Sequence, residues 1–162
     1  MSLFSRPTTP QMPATAAAAA RPIVDACLRA HGLDPATQWD ADLNLWSVAV
    51  SNRQVFVRPV RIEPDDPKDG PPRDYLEVFT SVMALPSAPL LALYRQLLEL
   101  NMRSVGCAFG VEGGTVFARH QRPLQGMDAG EFEAVVSSVA SAAEYVAPYL
   151  SQEFPLGAAA LM

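Results

Sequence analysis

The chain has 162 residues, of which 49% are hydrophobic, and its 17 acidic and 12 basic side chains give a formal charge of −5. This length suffices for one well-buried core and is short for two domains. The acidic balance argues against direct binding of nucleic acid, because capture of phosphates needs a basic field. Cys27 and Cys107 lie far apart and match no metal-ligand spacing. We therefore expect no disulfide framework, no metal site and a reducing cytoplasmic location.

The first twenty residues are rich in alanine, proline and threonine. They contain no apolar run long enough for a signal peptide or a membrane span. We expect residues 1–20 to be a flexible leader, residues 21–150 to form the folded domain, and residues 151–162 to be a C-terminal tail. Neither a membrane partner nor a cofactor is expected.

The first helix is predicted from Pro22 to His31. Pro22 suits a first helical turn, and Gly32 suits the residue after a helix end. The alanines before Pro22 either extend this helix across a proline kink or fray. At the helix end, His31 is more typical of a capping residue than of a catalytic one.

Three strands are predicted next, at residues 43–50, 54–62 and 75–85, from their alternating β-branched and aromatic residues. Pro59 cannot donate to a strand ladder, which indicates an edge position or a bulge. Between the second and third strands lies a proline-rich segment with four acidic residues, Glu63, Asp65, Asp66 and Asp69. It lacks the spacing of a calcium loop, so we interpret it as a solvated loop.

A leucine-rich helix is predicted after Ser87, which is a plausible N-cap, and is expected to end with Asn101 as its C-terminal cap. Its apolar residues cover about half of the helix circumference, more than one sheet face buries. A second covering surface is therefore needed, and a homodimer is the commonest way to provide it. Leu91, Tyr94 and Leu98 are the predicted dimer-interface residues.

The fourth strand is predicted from Val105 to Val111, and glycines 113 and 114 turn the chain into a fifth strand, Val116–Arg122. One face of the fourth strand is nearly bare, because it carries only Gly106, Ala108 and Gly110. These three are the predicted client-binding residues. The alternative is that a helix of the chain itself covers them.

The last helix is predicted to begin after Asp128, which forms a capping-box pattern with Glu131. Its apolar stripe includes Phe132, Val136 and Val139, which we expect to be buried together with Phe109 of the fourth strand. Pro148 is expected to stop or kink the helix near Val146. The resulting fold is α+β, with an antiparallel five-stranded sheet, helices packed on one face, and the order α-β-β-β-α-β-β-α.

Three stretches resemble a known pair of families: the leucine-rich run 90–101, the turn and strand 113–117, and the segment 123–128. In this order they are similar to the YbjN family and to the class I type III secretion chaperones, which share a fold. The resemblance implies that residues 21–150 form a chaperone-like domain. It also implies a non-enzymatic homodimer that holds a segment of an unidentified client protein.

The main alternative is a stress-linked regulatory protein, or an enzyme, that binds a small molecule in a pocket near Arg119 and His120. No serine or cysteine has a base and an orienting group in a recognisable motif, so no catalytic residue is predicted. Because motifs for chemistry are missing, the sequence favours the client-binding hypothesis.

Overall fold

The computed structural model describes residues 14–66, 68 and 70–156. The predicted client-binding and dimer-interface residues lie within these ranges, whereas residues 1–13 of the predicted leader, Asp69 of the acidic loop and residues 157–162 of the predicted tail lie outside them. The described elements are α1 (Ala14–Ala30), α2 (Pro35–Gln38), β1 (Trp39–Asp40), β2 (Leu45–Val50), β3 (Arg53–Ile62), β4 (Arg73–Ala84), α3 (Leu90–Arg103), β5 (Ala108–Glu112), β6 (Thr115–Pro123) and α4 (Ala129–Glu153).

All strand pairs are antiparallel, and the sheet has the order β1-β2-β3-β4-β6-β5. Helices α1 and α4 lie side by side over β3 and β4, α4 also covers β6, and α3 packs against the edge strand β5. The α+β class with an antiparallel sheet is therefore confirmed. The prediction of five strands and three helices is wrong, because β1 and α2 are additional elements.

The two missed elements are too short for a periodic pattern. In α2, the Asp34 carboxylate caps the helix by accepting a hydrogen bond from the Ala36 N–H at 3.0 Å. In β1, Trp39 packs on Trp46 of β2, with the ring centroids 4.4 Å apart, and the Arg21 guanidinium lies 4.9 Å from the centroid of the Trp39 ring. These contacts with α1 and β2 thus stabilise β1, although it has only two residues.

Helix α1 begins at Ala14 and passes through Pro22. The predicted start at Pro22 is therefore wrong, and the alternative that the alanines extend the helix across the proline is confirmed for residues 14–20. Residues 14–20, assigned from sequence to the leader, are helical, and Ala16 and Ala20 are fully buried. Pro22 itself is exposed, as is Ala18, whose carbonyl loses its helical partner. Water can satisfy that carbonyl on the solvent side, while the inner side of the helix remains packed.

The predicted core is confirmed. Phe109, Phe132, Val136 and Val139 are all buried and belong to one cluster that joins the helices to the inner face of the sheet. Pro59 is buried on β3, where β2 pairs only with residues 53–57. The strand lies inside the sheet, between β2 and β4, so the predicted edge strand is wrong. Pro59 is tolerated because it lies beyond the residues that pair with β2.

The N-terminus of α4 is capped as predicted, since the Asp128 carboxylate accepts a hydrogen bond from the Glu131 N–H at 2.8 Å. The Glu131 carboxylate does not return to Asp128 and pairs instead with Arg122. Helix α4 continues through Pro148 to Glu153, so the predicted stop near Val146 is wrong. It extends into the predicted tail, where Phe154 is buried in the core.

Both predicted caps of α3 are wrong. Pro89, not Ser87, holds the N-cap position, and Ser104 holds the C-cap position. The Ser104 N–H and hydroxyl both donate to the Leu100 carbonyl at 2.9 Å. Asn101 lies inside the helix, and its amide makes two hydrogen bonds to Phe109 of β5. It donates to the Phe109 carbonyl at 2.9 Å and accepts from the Phe109 N–H at 2.6 Å. Asn101 therefore protects the free edge of β5.

Replacing Asn101 with alanine is expected to lower the free energy of unfolding by about 1 to 3 kcal/mol, because both backbone groups of Phe109 lose their partner in a half-buried place. Urea denaturation followed by circular dichroism measures this loss. Gln125→Ala, which truncates an exposed amide in a loop, is the matched control and should change stability by less than about 0.5 kcal/mol. Equal stability of the two variants would contradict the edge-protecting role.

Candidate protein-binding surfaces

The face of the sheet opposite α1 and α4 forms the first candidate surface, called the open face. Cross-strand register places its side chains together, because Phe56 is paired with Phe79, Phe79 with Arg119, and Arg119 with Ala108. The Phe56 and Phe79 rings are stacked with centroids 5.4 Å apart, and Phe79 meets Phe117 edge-on at 5.9 Å. The open face thus has an aromatic centre whose rings are only half-buried.

Ala108 and Gly110 lie on this open face, because they pair with Arg119 and Phe117. A Cβ atom added at Gly110 would meet no atom within 4 Å, so no helix in the described part of the chain covers it. The alternative of a covering helix is wrong at this position. Gly106 lies in the loop before β5 with a φ of +73°, so its predicted place in the strand is also wrong.

The predicted strand alternation fails before residue 108 for a physical reason. Val105 is 93% exposed, although the alternation placed it on the buried face with Phe109. The positive φ of Gly106 turns the chain there, and the Gly106 carbonyl is hydrogen-bonded to Nδ1 of His120. Regular pairing with β6 therefore begins at Ala108.

A buried carboxylate lies beside the aromatic centre of the open face. Glu77 is 3% exposed, and its Oε1 lies 2.9 Å from Nη2 of Arg119. Its Oε2 accepts a hydrogen bond from Nε of Arg58 at 2.9 Å, and the Arg58 guanidinium lies 5.3 Å from the Phe79 ring centroid. The buried Glu77 carboxylate is thus held between the guanidinium groups of Arg58 and Arg119, which satisfy its charge.

A shallow depression of about 280 Å³ connects these features. Arg58, Glu77, Phe79, Phe117 and Arg119 line it, together with residues 110–113 and Thr115. Residues 110–113 include Glu112, so two guanidinium groups and two carboxylates surround the depression. His120 points to the other side of β6, because consecutive residues of a strand face opposite sides of the sheet. The predicted small-molecule pocket near both Arg119 and His120 is therefore wrong.

The second candidate surface lies on the outer side of α3 and is called the α3 stripe: Leu91, Tyr94, Leu98 and Met102. Leu91, Leu98 and Met102 are 84%, 67% and 88% exposed, while Leu93 and Leu97 on the other side of the helix are buried. The predicted excess of apolar surface on this helix is confirmed. The spacings of three, four and four residues place these four side chains along one side of the helix.

A third cluster lies on the helical side of the sheet, and sequence reasoning missed it. Cys27, His31 and Glu133 bring one sulfur, one ring nitrogen and one carboxylate oxygen within 4.8 Å of one another. His31 Nε2 lies 3.1 Å from Glu133 Oε1, so His31 contacts α4 and does not cap α1 through its side chain. The available signal was the four-residue spacing of Cys27 and His31, which places both on one helix face.

The two cysteines differ in their surroundings. Burial raises the pKa of the Cys27 thiol, and the Glu133 carboxylate raises this pKa further. Burial also raises the pKa of the Cys107 thiol, although a backbone hydrogen bond from Arg119 lowers it in part. Both thiols are thereby kept protonated, which opposes a role as a free nucleophile.

No helix within the described residues is both long and apolar enough to cross a bilayer. Among the described acidic-loop residues, Glu63, Asp65 and Asp66 are exposed, as expected for a solvated segment.

A family model covers most of the chain. The model of the YbjN family, described as "Putative bacterial sensory transduction regulator", matches residues 22–152. No curated protein matches the chain.

Solved structures with a similar fold include proteins of type III secretion. A chain of the HopA1–SchA chaperone–effector complex has a TM-score of 0.61 and 11% identity, covering 85% of this chain and 99% of its own. A chain of the complex of the Yersinia pestis type III secretion chaperone SycH with a YscM2 fragment has a TM-score of 0.54 and 13% identity. The match covers 76% of this chain and 96% of that chain. A chain of the Pseudomonas aeruginosa ExoU–SpcU complex has a TM-score of 0.55 and 13% identity. The match covers 77% of this chain and 95% of that chain. At these identities the similarity establishes the fold.

Proposed function

The chain belongs to the YbjN family, and on that premise we propose that it is a non-enzymatic chaperone-like or adaptor protein that binds a segment of a client protein as a homodimer. The observation that carries this proposal is the open face, an aromatic and partly charged sheet surface that no described helix covers. The similar folds support it, because the structures named above are complexes of type III secretion proteins with other proteins.

The chemistry of the open face defines the client that suits it. Half-buried phenylalanine rings offer contact area to apolar side chains, and the small Ala108 and Gly110 allow a partner to approach the strand closely. Arg119, whose side chain is 43% exposed, can pair with a further carboxylate besides Glu77. We therefore propose an extended client segment that carries apolar side chains and at least one acidic residue.

The predicted dimer interface belongs to the same proposal. The α3 stripe lies on a different element from the open face, at the β5 edge of the sheet. A second copy that covers the stripe removes exposed leucine and methionine side chains from water and leaves the open face available. The family description as a putative regulator of sensory transduction is compatible with such an adaptor, since a protein can regulate another by binding it without catalysing a reaction.

Replacing Ala108 with arginine is expected to abolish client binding while the protein stays folded, because the long cationic side chain fills the open face and lies beside Arg119. Ala108 is exposed, so the thermal melt by circular dichroism should remain within a few degrees of the wild type. Binding is measured by affinity capture from the host followed by mass spectrometry, comparing which proteins the variant and the wild type retain.

Ala134→Arg is the matched control, since Ala134 is an exposed alanine on α4, on the other side of the sheet. It should retain the partners of the wild type. Identical partners for Ala108→Arg and the wild type would contradict the open-face proposal, as would a wild type that enriches no protein over an unrelated acidic control. A collapsed melt of Ala108→Arg would show that the open face is covered.

A further inference from the structure

The Cys27, His31 and Glu133 cluster has the composition and placement of a metal centre, and we propose that it binds Zn²⁺. Cys27 lies in the last turn of α1, His31 directly follows that helix, and Glu133 lies in the first turns of α4. Their three candidate ligand atoms all lie within 4.8 Å of one another. Two helices thereby contribute to one set of converging donors.

The donor set selects the metal. A thiolate, an imidazole and a carboxylate are the three ligand types that Zn²⁺ accepts in proteins, whereas Ca²⁺ and Mg²⁺ prefer oxygen alone. Bonds of about 2.0 to 2.3 Å in tetrahedral geometry place the ligand atoms about 3.3 to 3.6 Å apart. His31 Nε2 and Glu133 Oε1, at 3.1 Å, lie slightly closer than this. The Cys27 sulfur, within 4.8 Å of the other two ligand atoms, reaches the required separation by a shift of at most about 1.5 Å.

The surroundings of the cluster support metal binding over a free thiol. A depression of about 310 Å³ opens beside Cys27, with mostly apolar walls that include Leu28, Val50 and Phe132. These walls shield the Cys27 sulfur, while the exposed side at His31 and Glu133 leaves room for a water molecule in the fourth coordination position. Bound Zn²⁺ displaces the thiol proton that burial otherwise retains at Cys27.

The proposed site has a structural consequence. Without metal, the polar link between α1 and α4 at this site is the pairing of His31 with Glu133, whose side chains are about half exposed and therefore stabilise little. Apolar packing of Leu28 with α4 residues such as Phe132 accompanies it. A metal bound by both helices cross-links residues that are more than a hundred positions apart in sequence. The cluster lies on the helical side of the sheet, so this inference does not rest on the proposed client binding.

Titration of the reduced, metal-free full-length protein with Co²⁺ tests the site, because thiolate coordination gives a charge-transfer absorption that Zn²⁺ should remove by competition. We expect Cys27→Ser to abolish this absorption. His31→Gln and Glu133→Gln should each weaken Co²⁺ binding at least about tenfold, since even the loss of an outer-sphere partner costs about 10- to 100-fold. Cys107→Ser is the control, and its absorption should match the wild type.

Thermal melts with and without Zn²⁺ keep the test independent of folding defects in Cys27→Ser. Zn²⁺ should raise the melting temperature of the wild type and of Cys107→Ser, and should raise that of His31→Gln, whose altered side chain is exposed, by less at the same Zn²⁺ concentration. Absence of thiolate absorption in the wild type would overturn the proposal. So would absorption that survives Cys27→Ser, or binding that is unchanged in both His31→Gln and Glu133→Gln.

Discussion

Replacing Phe132 with alanine is expected to lower the free energy of unfolding by about 3 to 5 kcal/mol, the usual cost of removing a buried aromatic ring. Phe132 is 1% exposed and lies on α4, the helix that spans β3, β4 and β6. The substitution removes the apolar contacts of the ring and leaves a cavity. Helix α4 cannot move to close this cavity, because it packs against both α1 and the sheet. Urea denaturation followed by circular dichroism measures the loss.

Tyr145→Ala provides the matched control for this prediction. Tyr145 is also an aromatic residue of α4, but it is 85% exposed. Its truncation should change stability by less than about 0.5 kcal/mol. If Phe132→Ala were to cost less than about 1 kcal/mol, the packing of α4 on the sheet would be other than described.

The long helices illustrate what sequence periodicity can and cannot predict. The apolar spacing on α4 identified Phe132, Val136 and Val139 as core, and all three are buried. The same sequence predicted a stop at Pro148, yet the helix continues for five more residues to Glu153. Pro148 is exposed, while Leu150 and Phe154 beyond it are buried, so their burial offsets the lost hydrogen bond. Sequence rules for proline consider only the local helix and do not include the energy of burying residues beyond it.

Asn101 shows the same limit for a single polar residue. An asparagine near a helix end predicts a cap, because its amide can satisfy free carbonyls. In the structure the same amide groups bond to Phe109, eight residues later in another element. The choice between these partners depends on how α3 lies against β5, which the spacing of leucines alone does not determine.

The candidate surfaces also differ in how far the sequence could predict them. The α3 stripe could be predicted, because a helix displays its pattern within a single segment. The small residues of β5 were also recognised, although only Ala108 and Gly110 lie in the strand. The row of Phe56, Phe79 and Phe117 and the pairing of Glu77 depend on the register of three strands. The Cys27 cluster likewise needs the packing of α1 on α4, which no local spacing reveals.

The proposed dimer interface, the α3 stripe, and the proposed client-binding surface, the open face, lie on different elements. The open face is built by β3, β4, β6 and β5, whereas the α3 stripe lies on the outer side of a helix at the β5 edge. A substitution on one surface therefore leaves the side chains of the other in place. Variants of α3 accordingly test the homodimer alone, and Ala108→Arg tests client binding alone.

Replacing Leu98 with aspartate is expected to convert the proposed homodimer into a monomer. Burial of one leucine contributes about 1.5 to 3 kcal/mol, and two-fold symmetry counts each substitution twice. The loss is at least about 3 kcal/mol, which raises the dissociation constant more than about hundredfold. Sedimentation at micromolar concentration measures it. Leu43→Asp, at another exposed leucine in the turn before β2, should remain dimeric. A monomeric wild type, or a dimeric Leu98→Asp, would contradict an interface on the α3 stripe.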